Sequence, residues 1–431
     1  MRRSPPLPIL AALAVVLASC GGGSSGSSSA DPPSPSPTAT LVATPEPTGT
    51  PAAVAAGDLD PTFGAGGIVL LPAAGTATVG RHSLRVLADG GVELIVLDRV
   101  TTSTTVRIAR LLLPDGARID DEVVTVATEP THAAFGNDGN VWVLDGSGPA
   151  LRLSRFSRNG GVVSENGSSL VALSRVSELV PLPDGGMLAV GTTDRAASGL
   201  QRFDASGAAD ATFGGGPPLP VGLALGPRPA DGVDIDFRTA VLAENGSILV
   251  AGTRYEGLAF NPAVLVYDAT GRLNAFGHSG SATVAALGSG ATIAAVPGGG
   301  ALVGNAAGGV ALLDARGVQD PLYSARLEDP RRPGLFSAFT VAANGEVTGV
   351  GVTGNGYPAP VVYRLRADGA GDARFAGTGL VVTLLDAHRA QNTGYYAFAS
   401  LPADRITAAG TACRQPDACD VVVARYVDVA D

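Results

Sequence analysis

The chain has 431 residues and a formal net charge of −10, and charged residues make up only 16% of it. Binding to nucleic-acid phosphates needs a basic surface, so this charge predicts no nucleic-acid partner. Gly (59) and Pro (31) are abundant, whereas aromatic residues make up 5% of the chain and offer few stacking surfaces for sugars or bases.

Residues 1–19 have the pattern of an export signal. Arg2 and Arg3 form a positive start, and the apolar run Leu7 to Leu17 is too short to span a bilayer as a helix. The run ends in Leu-Ala-Ser-Cys-Gly at positions 17–21, which closely resembles a bacterial lipobox. The resemblance implies cleavage before Cys20 and acylation of Cys20, with palmitate as a typical acyl chain. It predicts a lipid-anchored protein of the cell envelope, on the outer membrane or the outer face of the cell membrane. The alternative is an ordinary secretory signal with an incidental cysteine.

Residues 20–56 comprise this cysteine and a segment rich in Gly, Ser, Pro, Thr and Ala. Such a segment has too few apolar side chains to offset the entropy lost on ordering, so it is predicted to be a disordered tether. It would span about 35 Å as a coil and about 110 Å as a stretched polyproline-like chain. We expect it to hold a folded domain, residues 57–431, away from the membrane.

From residue 57 onward the sequence repeats a unit of about 50 residues, which is typical of a repeat architecture. Each unit has a tight turn, an apolar strand and then a β-branched strand, and no sustained helical period lies between them. The turns lie at Gly90, Gly139, Gly185, Gly246, Gly299, Gly345 and, in degenerate form, Ala403-Asp404. Seven units of three or four short strands predict an all-β fold, a seven-bladed β-propeller.

Four units also carry a phrase in which Asp or Asn is followed by Phe and then Gly or Ala. The phrases begin at Asp60, Asp210, Asn274 and Asp372. With the strands and turns, this pattern resembles the delta-60 repeat, a bacterial propeller module, over residues 57–431. The resemblance implies the fold and names no ligand.

The first and last residues of the repeat region together make up one complete repeat unit in the sequence. The chain stops at Asp431, where the next phrase would fall, and that phrase stands instead at residues 57–64. The first strand, near Ile68 to Leu71, is therefore predicted to complete the last blade, which removes a strand edge that could pair with another chain.

Two cysteines remain besides Cys20. Cys413 and Cys419 are close in sequence, and an even number of cysteines in an exported chain predicts a disulfide. The alternatives are free thiols or metal ligands, but no Cys-x-x-Cys pattern and no nearby His supports metal binding.

The sequence offers few candidates for chemistry. The four histidines, His82, His132, His278 and His388, have scattered positions in the repeat, which favours surface or turn locations, although a shared funnel could gather them. The acidic clusters at 115–122 and 231–236 lack the order of a calcium loop and are interpreted as solvated loop charge. We therefore predict no metal and no cofactor.

Two loops, 214–236 and 386–396, exceed the length that the repeat needs, and long loops on rigid scaffolds often bind partners. The second holds the candidate recognition residues His388, Arg389, Tyr395 and Tyr396. The alternative is simple drift in loop length.

These features predict a monomeric lipoprotein that contacts the membrane through Cys20 and whose propeller is a binding or scaffold module for a protein or glycan. The alternatives are a hydrolase or lyase with its site in the propeller funnel and a purely structural envelope protein. A cluster of acids and histidines at one end of the channel would favour the enzyme.

Overall fold

The computed structural model describes residues 54–73, 75–100, 103–111, 118–126, 128–159, 162–195, 197–227, 235–256, 259–277, 280–284, 292–305, 309–323, 333–353, 358–385, 391–401, 405–415 and 418–428. Within these residues the protein is all-β, with a single 3-10 turn at Gly148–Ala150 as its only helical element. No helix in the described part is long and apolar enough to cross a membrane. The predicted signal peptide, Cys20 and most of the tether lie outside the described residues.

The strands follow one another along the chain in groups of three to five, and neighbouring strands within a group pair antiparallel; the first and last groups share one nine-stranded sheet. The first groups are β2 (Thr76–Thr78), β3 (Leu84–Val86), β4 (Val92–Val100), β5 (Ser103–Leu111) and β6 (Arg118–Val124), then β7 (Pro130–Phe135), β8 (Val141–Asp145), β9 (Arg152–Asn159) and β10 (Val162–Leu170), then β11 (Arg175–Pro181), β12 (Met187–Thr192), β13 (Ser198–Phe203) and β14 (Leu223–Leu225).

The later groups are β15 (Ile235–Leu242), β16 (Ile248–Glu256), β17 (Ala259–Tyr267) and β18 (Ser281–Thr283), then β19 (Thr292–Val296), β20 (Gly300–Gly304) and β21 (Val310–Leu313), then β22 (Pro333–Val341), β23 (Val347–Thr353), β24 (Pro360–Leu365) and β25 (Leu380–Val382), and finally β26 (Gln391–Leu401), β27 (Arg405–Gln415) and β28 (Ala418–Val427). β1 (Ile68–Leu71) pairs with β28, and β2 connects the last group to the first through one parallel pair, Thr76 with Cys419.

The described turns lie where they are predicted: Gly90 lies between β3 and β4, and the other turns connect the first and second strands of their groups. The strands predicted after them are confirmed. Gly90 and Gly139 have φ of +79° and +81°, the left-handed region that glycine enters without a Cβ clash. Residues 403–404, the degenerate turn, lie outside the described residues. The core lies between neighbouring groups; one cluster, for example, packs Leu188 and Leu200 against Phe237 and Val250.

The Phe-Gly phrases connect consecutive groups. Phe63, Phe213, Phe276 and Phe375 are all buried. The N–H of Gly214 donates to the carbonyl of Thr270 in the next group (2.8 Å), and Gly277 donates in the same way to Arg316 (2.7 Å). The phrase is therefore part of the scaffold.

The start of the repeat region occupies, in the last group, the place that the phrase has elsewhere. Leu59 forms a bridge with Tyr426, as Ala209 does with Phe203 within its own group. The Asp60 carboxylate accepts hydrogen bonds from Arg425 (2.9 Å) and Arg405 (2.8 Å). β1 then pairs antiparallel with β28, from Ile68 opposite Ala424 to Leu71 opposite Val421.

The predicted disulfide between Cys413 and Cys419 is confirmed. The two cysteines are directly opposite each other on β27 and β28, and both are buried. The bond therefore fastens the β27–β28 hairpin near its tip.

Candidate ligand-binding channel

One cavity of about 400 Å³ is lined by the first strand, or its equivalent, of every group. The β2–β3 connection, β7, β11, β15, β19, β22 and β26 all contribute. The charged and imidazole side chains on its wall are Arg81, His82, His132, Glu178 and Arg238. All of the groups contribute to this one cavity, and we call it the channel.

β-Bulges direct polar side chains into the channel. In five of the lining strands one extra residue has no partner in the neighbouring strand, and these residues are Thr131, Ser177, Arg238, Ser337 and Tyr396. All five line the channel. A bulge re-aims the side chains around it, and such irregularities are common next to functional sites.

Arg81 connects several groups across the channel. Its guanidinium donates to the Thr239 hydroxyl (Nη1 to Oγ1, 2.6 Å) and to the Ile293 carbonyl (Nη2 to O, 2.7 Å). Nη1 also lies 3.7 Å from Oε1 of Glu178. One side chain from the β2–β3 connection therefore contacts β11, β15 and β19.

Glu178 is the buried acid of the channel, with its side chain 10% exposed. Its Oε2 accepts the N–H of Ala240 (3.1 Å), and its Oε1 lies 3.3 Å from Nε2 of His82. Burial alone would raise the pKa of Glu178, but the charge of Arg81 and the contact with His82 outweigh it and hold the pKa below its usual value. The carboxylate is therefore ionised at neutral pH.

His132 is the second imidazole of the site. Burial lowers its pKa below the usual 6.5, against the attraction of the nearby Glu178 carboxylate. The ring is therefore neutral at pH 7 and able to accept a proton. Its Nδ1 lies 3.3 Å from the hydroxyl of Thr131.

Hydroxyl groups connect neighbouring lining strands. Ser83 donates to the carbonyl of Ala133 (3.3 Å), Ser177 to Phe237 (3.0 Å) and Thr292 to Ser337 (3.2 Å). These three hydroxyls hold the wall together. The Ser337 hydroxyl is different, because it is buried and has no hydrogen-bond partner among the described residues.

An aromatic pair stands beside the channel. Nη2 of Arg238 lies 2.6 Å from Oδ2 of Asp236, and the Tyr255 hydroxyl lies 3.4 Å from the same oxygen. Tyr255 packs edge-to-face on Phe260, with ring centroids 5.5 Å apart. Their exposed fractions are 38% and 44%, so the pair forms an apolar surface open to solvent near the channel.

The structure corrects part of the predicted recognition loop. Tyr395 lies in β26 and is fully buried, and its hydroxyl is 2.6 Å from that of Tyr426, so it is a core residue. Tyr396, the next residue, occupies the bulge and lines the channel. His388 and Arg389 lie outside the described residues.

The acidic cluster at 115–122 was interpreted as solvated loop charge, and this is wrong for its later part. Asp121 and Glu122 belong to β6, where Asp121 lies 3.6 Å from Arg107 and Glu122 accepts a hydrogen bond from Arg158 (2.7 Å). The same interpretation is wrong for Asp236 of the second cluster, which lies in β15 and pairs with Arg238. Asp115 and the acids at 231 and 234 lie outside the described residues. Within the described ranges, no three His, Cys, Asp or Glu side chains are grouped so that they could hold a metal ion.

The sequence did contain a signal for the channel residues. His132 and Glu178 each precede their turn glycine, Gly139 or Gly185, by seven residues, and His82 precedes Gly90 by eight. The interpretation that His82 and His132 have scattered positions and lie on the surface is therefore wrong. Counting back from each turn would also have found Thr239 and, at the bulge, Arg238. His278 lies outside the described residues.

Comparison with known proteins adds information on the fold alone. No protein-family model and no curated protein matches the sequence. A chain in the crystal structure of the mitotic checkpoint complex is similar, at 11% identity and a TM-score of 0.51, over 91% of this chain and 98% of that one. A protein of unknown function from Dyadobacter fermentans (10% identity, TM-score 0.44, 84% of this chain and 98% of that one) and regucalcin, a calcium-binding protein from Agrobacterium tumefaciens (10%, 0.36, 83% and 94%), are more distant. The chain has a propeller-like β fold.

Proposed function

We propose that this protein is an exported lipoprotein whose propeller is a binding module for a protein or glycan, with the ligand in the channel. The observation that carries the proposal is the convergence of bulged first strands on one polar cavity. Concave sites with a few converging polar groups are the usual form of a ligand site. The Phe-Gly phrases agree with this proposal. They hold the groups together, whereas the side chains that line the channel vary between units.

The proposal includes seven blades and a ring closed by the N-terminal strand. Its support is that Asp60 contacts Arg425 on the last long strand, as Asp210 contacts Arg202 and Asp372 contacts Arg364 within their own groups. The N–H of Ala376 also donates to the carbonyl of Ala56 (2.9 Å), in the manner of Gly214 and Thr270. The N-terminal segment thus makes the contacts that a missing part of the last unit would make.

The membrane anchor is proposed from the sequence. The lipobox-like residues 17–21 and the tether after them support a location in the cell envelope, with the protein held by acyl chains on Cys20. Labelling cells with radioactive palmitate should label the wild type and leave Cys20→Ala unlabelled. Label retained on Cys20→Ala would contradict lipidation at this residue.

Binding through the channel can be tested with the full-length protein in detergent. We expect the immobilised wild type to retain a component of a biotinylated envelope extract, and the double variant Arg238→Ala/Tyr396→Ala to retain at least about tenfold less. Arg316→Ala is the matched control, because Arg316 is 83% exposed and pairs only with Asp314 of its own turn in the described structure. Equal retention by all three proteins would exclude the channel as the binding site.

A second candidate function is a hydrolase or lyase, and the meeting of His82, His132 and Glu178 in the channel favours it. His132, neutral at pH 7, could act as a general base. Glu178 is ionised and hydrogen-bonded to Ala240, so it is suited to orient His82 rather than to donate a proton. An enzyme would convert the retained component into smaller products, and His132→Gln would stop this conversion without preventing retention.

A further inference from the structure

We infer that the channel and the aromatic pair beside it form one site for an uncharged glycan. One sugar residue enters the cavity, and a neighbouring residue lies against Tyr255 and Phe260. This inference rests on the proposed binding function and specifies its ligand class.

The charges on the wall compensate each other. Arg81 and the His82 ring both lie against Glu178, and Arg238 faces Asp236. His132 is neutral at pH 7 because burial lowers its pKa. A charged ligand would enter a site that offers it no excess of opposite charge, and burying a charge without compensation is costly. A neutral polyhydroxylated ligand meets no such cost.

The wall also offers the mixture of groups that a sugar needs. Guanidinium groups can donate to sugar hydroxyls, and imidazole and hydroxyl groups can donate to them or accept from them. The buried Ser337 hydroxyl has no partner among the described residues. Leu97, Leu179 and Phe336 supply apolar surface in the same cavity. A pyranose ring presents hydroxyl groups at its edges and C–H groups on its faces, which fits this division.

The aromatic pair extends the site beyond the cavity. Tyr255 and Phe260 are opposite each other on β16 and β17, and they are the two most exposed aromatic side chains that the structure describes. Contacts from Arg238 through Asp236 to the Tyr255 hydroxyl connect the pair to the channel wall. Exposed aromatic rings bind the C–H face of a sugar, and a second apolar surface linked to the cavity wall through Asp236 suits a ligand longer than one sugar residue.

An array of neutral and acidic oligosaccharides, probed with the full-length protein in detergent, tests the ligand class. We expect binding to neutral oligosaccharides and at least about tenfold weaker binding to acidic ones of equal length. Binding confined to acidic glycans, or no binding to any neutral glycan, would overturn the inference.

Two variants then separate the two parts of the site, with calorimetry on the neutral glycan that the array selects. Tyr255→Ala/Phe260→Ala should weaken binding of the oligosaccharide by about tenfold and leave its terminal monosaccharide unaffected. Arg238→Gln, in the cavity wall, should weaken both. Leu322→Ala is the control, because Leu322 is 87% exposed and lies outside the site. Thermal melts establish that each variant is folded, and an unchanged affinity in the aromatic variant would remove Tyr255 and Phe260 from the site.

Treatment of the envelope extract distinguishes failure of this inference from failure of the proposed function. Periodate cleaves vicinal diols in glycans, whereas a protease removes proteins. Retention that is lost after periodate and survives protease supports a glycan. Retention lost only after protease overturns the glycan and keeps the binding module, and no retention from any extract overturns both.

Discussion

The Phe-Gly phrases and the channel strands repeat in opposite ways. In the phrases the same side chains make the same contacts: the carboxylates of Asp60 and Asp210 accept the N–H two residues further on, at 3.0 and 2.9 Å. In the channel the backbone repeats its bulge, but the bulged residue is Ser177 in one strand, Arg238 in the next and Tyr396 in another.

This difference separates positions that hold the fold from positions that can carry specificity. A contact that holds a junction between groups keeps the same or a similar residue type in the units that carry the phrase. A position with the same backbone geometry but side chains that vary between units, here Thr, Ser, Arg and Tyr, builds an asymmetric cavity inside a regular scaffold. In a fold that many proteins share, the ligand is determined by variable positions of this kind, because the scaffold itself specifies no ligand.

The largest effect should come from removing the N-terminal part of the scaffold. Deletion of residues 57–72 removes the buried Phe63 and Leu71, removes the partner of Arg425, and exposes the edge of β28. We expect loss of cooperative thermal unfolding, measured by circular dichroism, and aggregation. Deletion of residues 25–40, within the predicted tether, is the control and should leave the melting temperature unchanged. Unchanged melting after the 57–72 deletion would refute ring closure by this segment.

The next largest effect should come from the channel, at Arg81. Arg81→Ala leaves the buried Glu178 carboxylate without its guanidinium partner, and breaking a buried pair in this way costs about 4 kcal/mol of unfolding free energy. Chemical denaturation at neutral pH measures it. Arg238→Ala breaks a pair in which the arginine is 38% exposed and should cost about 1 kcal/mol or less. Adding Glu178→Gln to Arg81→Ala should recover part of the loss; if it does not, Arg81 stabilises the protein through its contacts with Thr239 and Ile293 and not through Glu178.

The scaffold was predictable because its contacts are local and periodic. Turn glycines, apolar strands and the Phe-Gly phrase recur at one spacing, and each is recognisable on its own. One copy was missed: Asp320-Pro321-Leu322-Tyr323 has Tyr for Phe and no following Gly. Asp320 nevertheless accepts the N–H of Leu322 at 2.8 Å, as in the other phrases.

The channel was harder to predict because a bulge has no sequence pattern of its own. It adds one residue to a strand, so alternation of apolar and polar residues no longer says which side chains share a face. His132 and Glu178 keep a fixed distance from their turn glycines, but their chemical types differ, so a search for one repeated motif passes over them. Tyr395 and Tyr396 show the same difficulty, since adjacent residues point to the core and to the channel.

Two glycines test whether the contacts of a Phe-Gly phrase with the next group stabilise the folded protein more than a turn within one group does. Gly271 and Gly246 both have φ of +79°, but a Cβ on Gly271 would lie 2.8 Å from the Phe213 ring, whereas one on Gly246 would have nothing within 4 Å. Gly246→Ala should cost about 1 kcal/mol of unfolding free energy from backbone strain. Gly271→Ala should cost about 3 kcal/mol because overpacking against Phe213 is added. Equal losses in urea denaturation would mean that the Phe213 contact is not a firm junction.

The smallest predicted effect concerns Asp60 and acid. Burial alone would raise its pKa, but hydrogen bonds from Thr62 and Arg405 and the charge of Arg425 outweigh burial and lower the pKa from 3.8 to about 2. Since the folded state holds the proton less tightly, Asp60 stabilises the protein fully above pH 4 and loses this effect as the pH falls to 2, an amount of about 2 kcal/mol.

Asp60→Asn isolates the contribution of Asp60, because all other carboxylates titrate in the variant as they do in the wild type. The difference in unfolding free energy between wild type and Asp60→Asn should be constant from pH 6 to about pH 4 and shrink toward pH 2. Asp210→Asn is the matched control, because Asp210 has the same position in its phrase. The Asp210 side chain is 15% exposed and pairs with Arg202 of its own unit. The Asp60 side chain is 3% exposed and contacts two arginines, Arg405 and Arg425. A larger acid-dependent difference for Asp60 than for Asp210 would show that the junction of the two chain ends depends on this buried charge. If the acid-dependent difference in unfolding free energy is equal for the two variants, Asp60 contributes no more than the same position in another phrase. The stability of the junction would then depend on β1 and the buried Phe63.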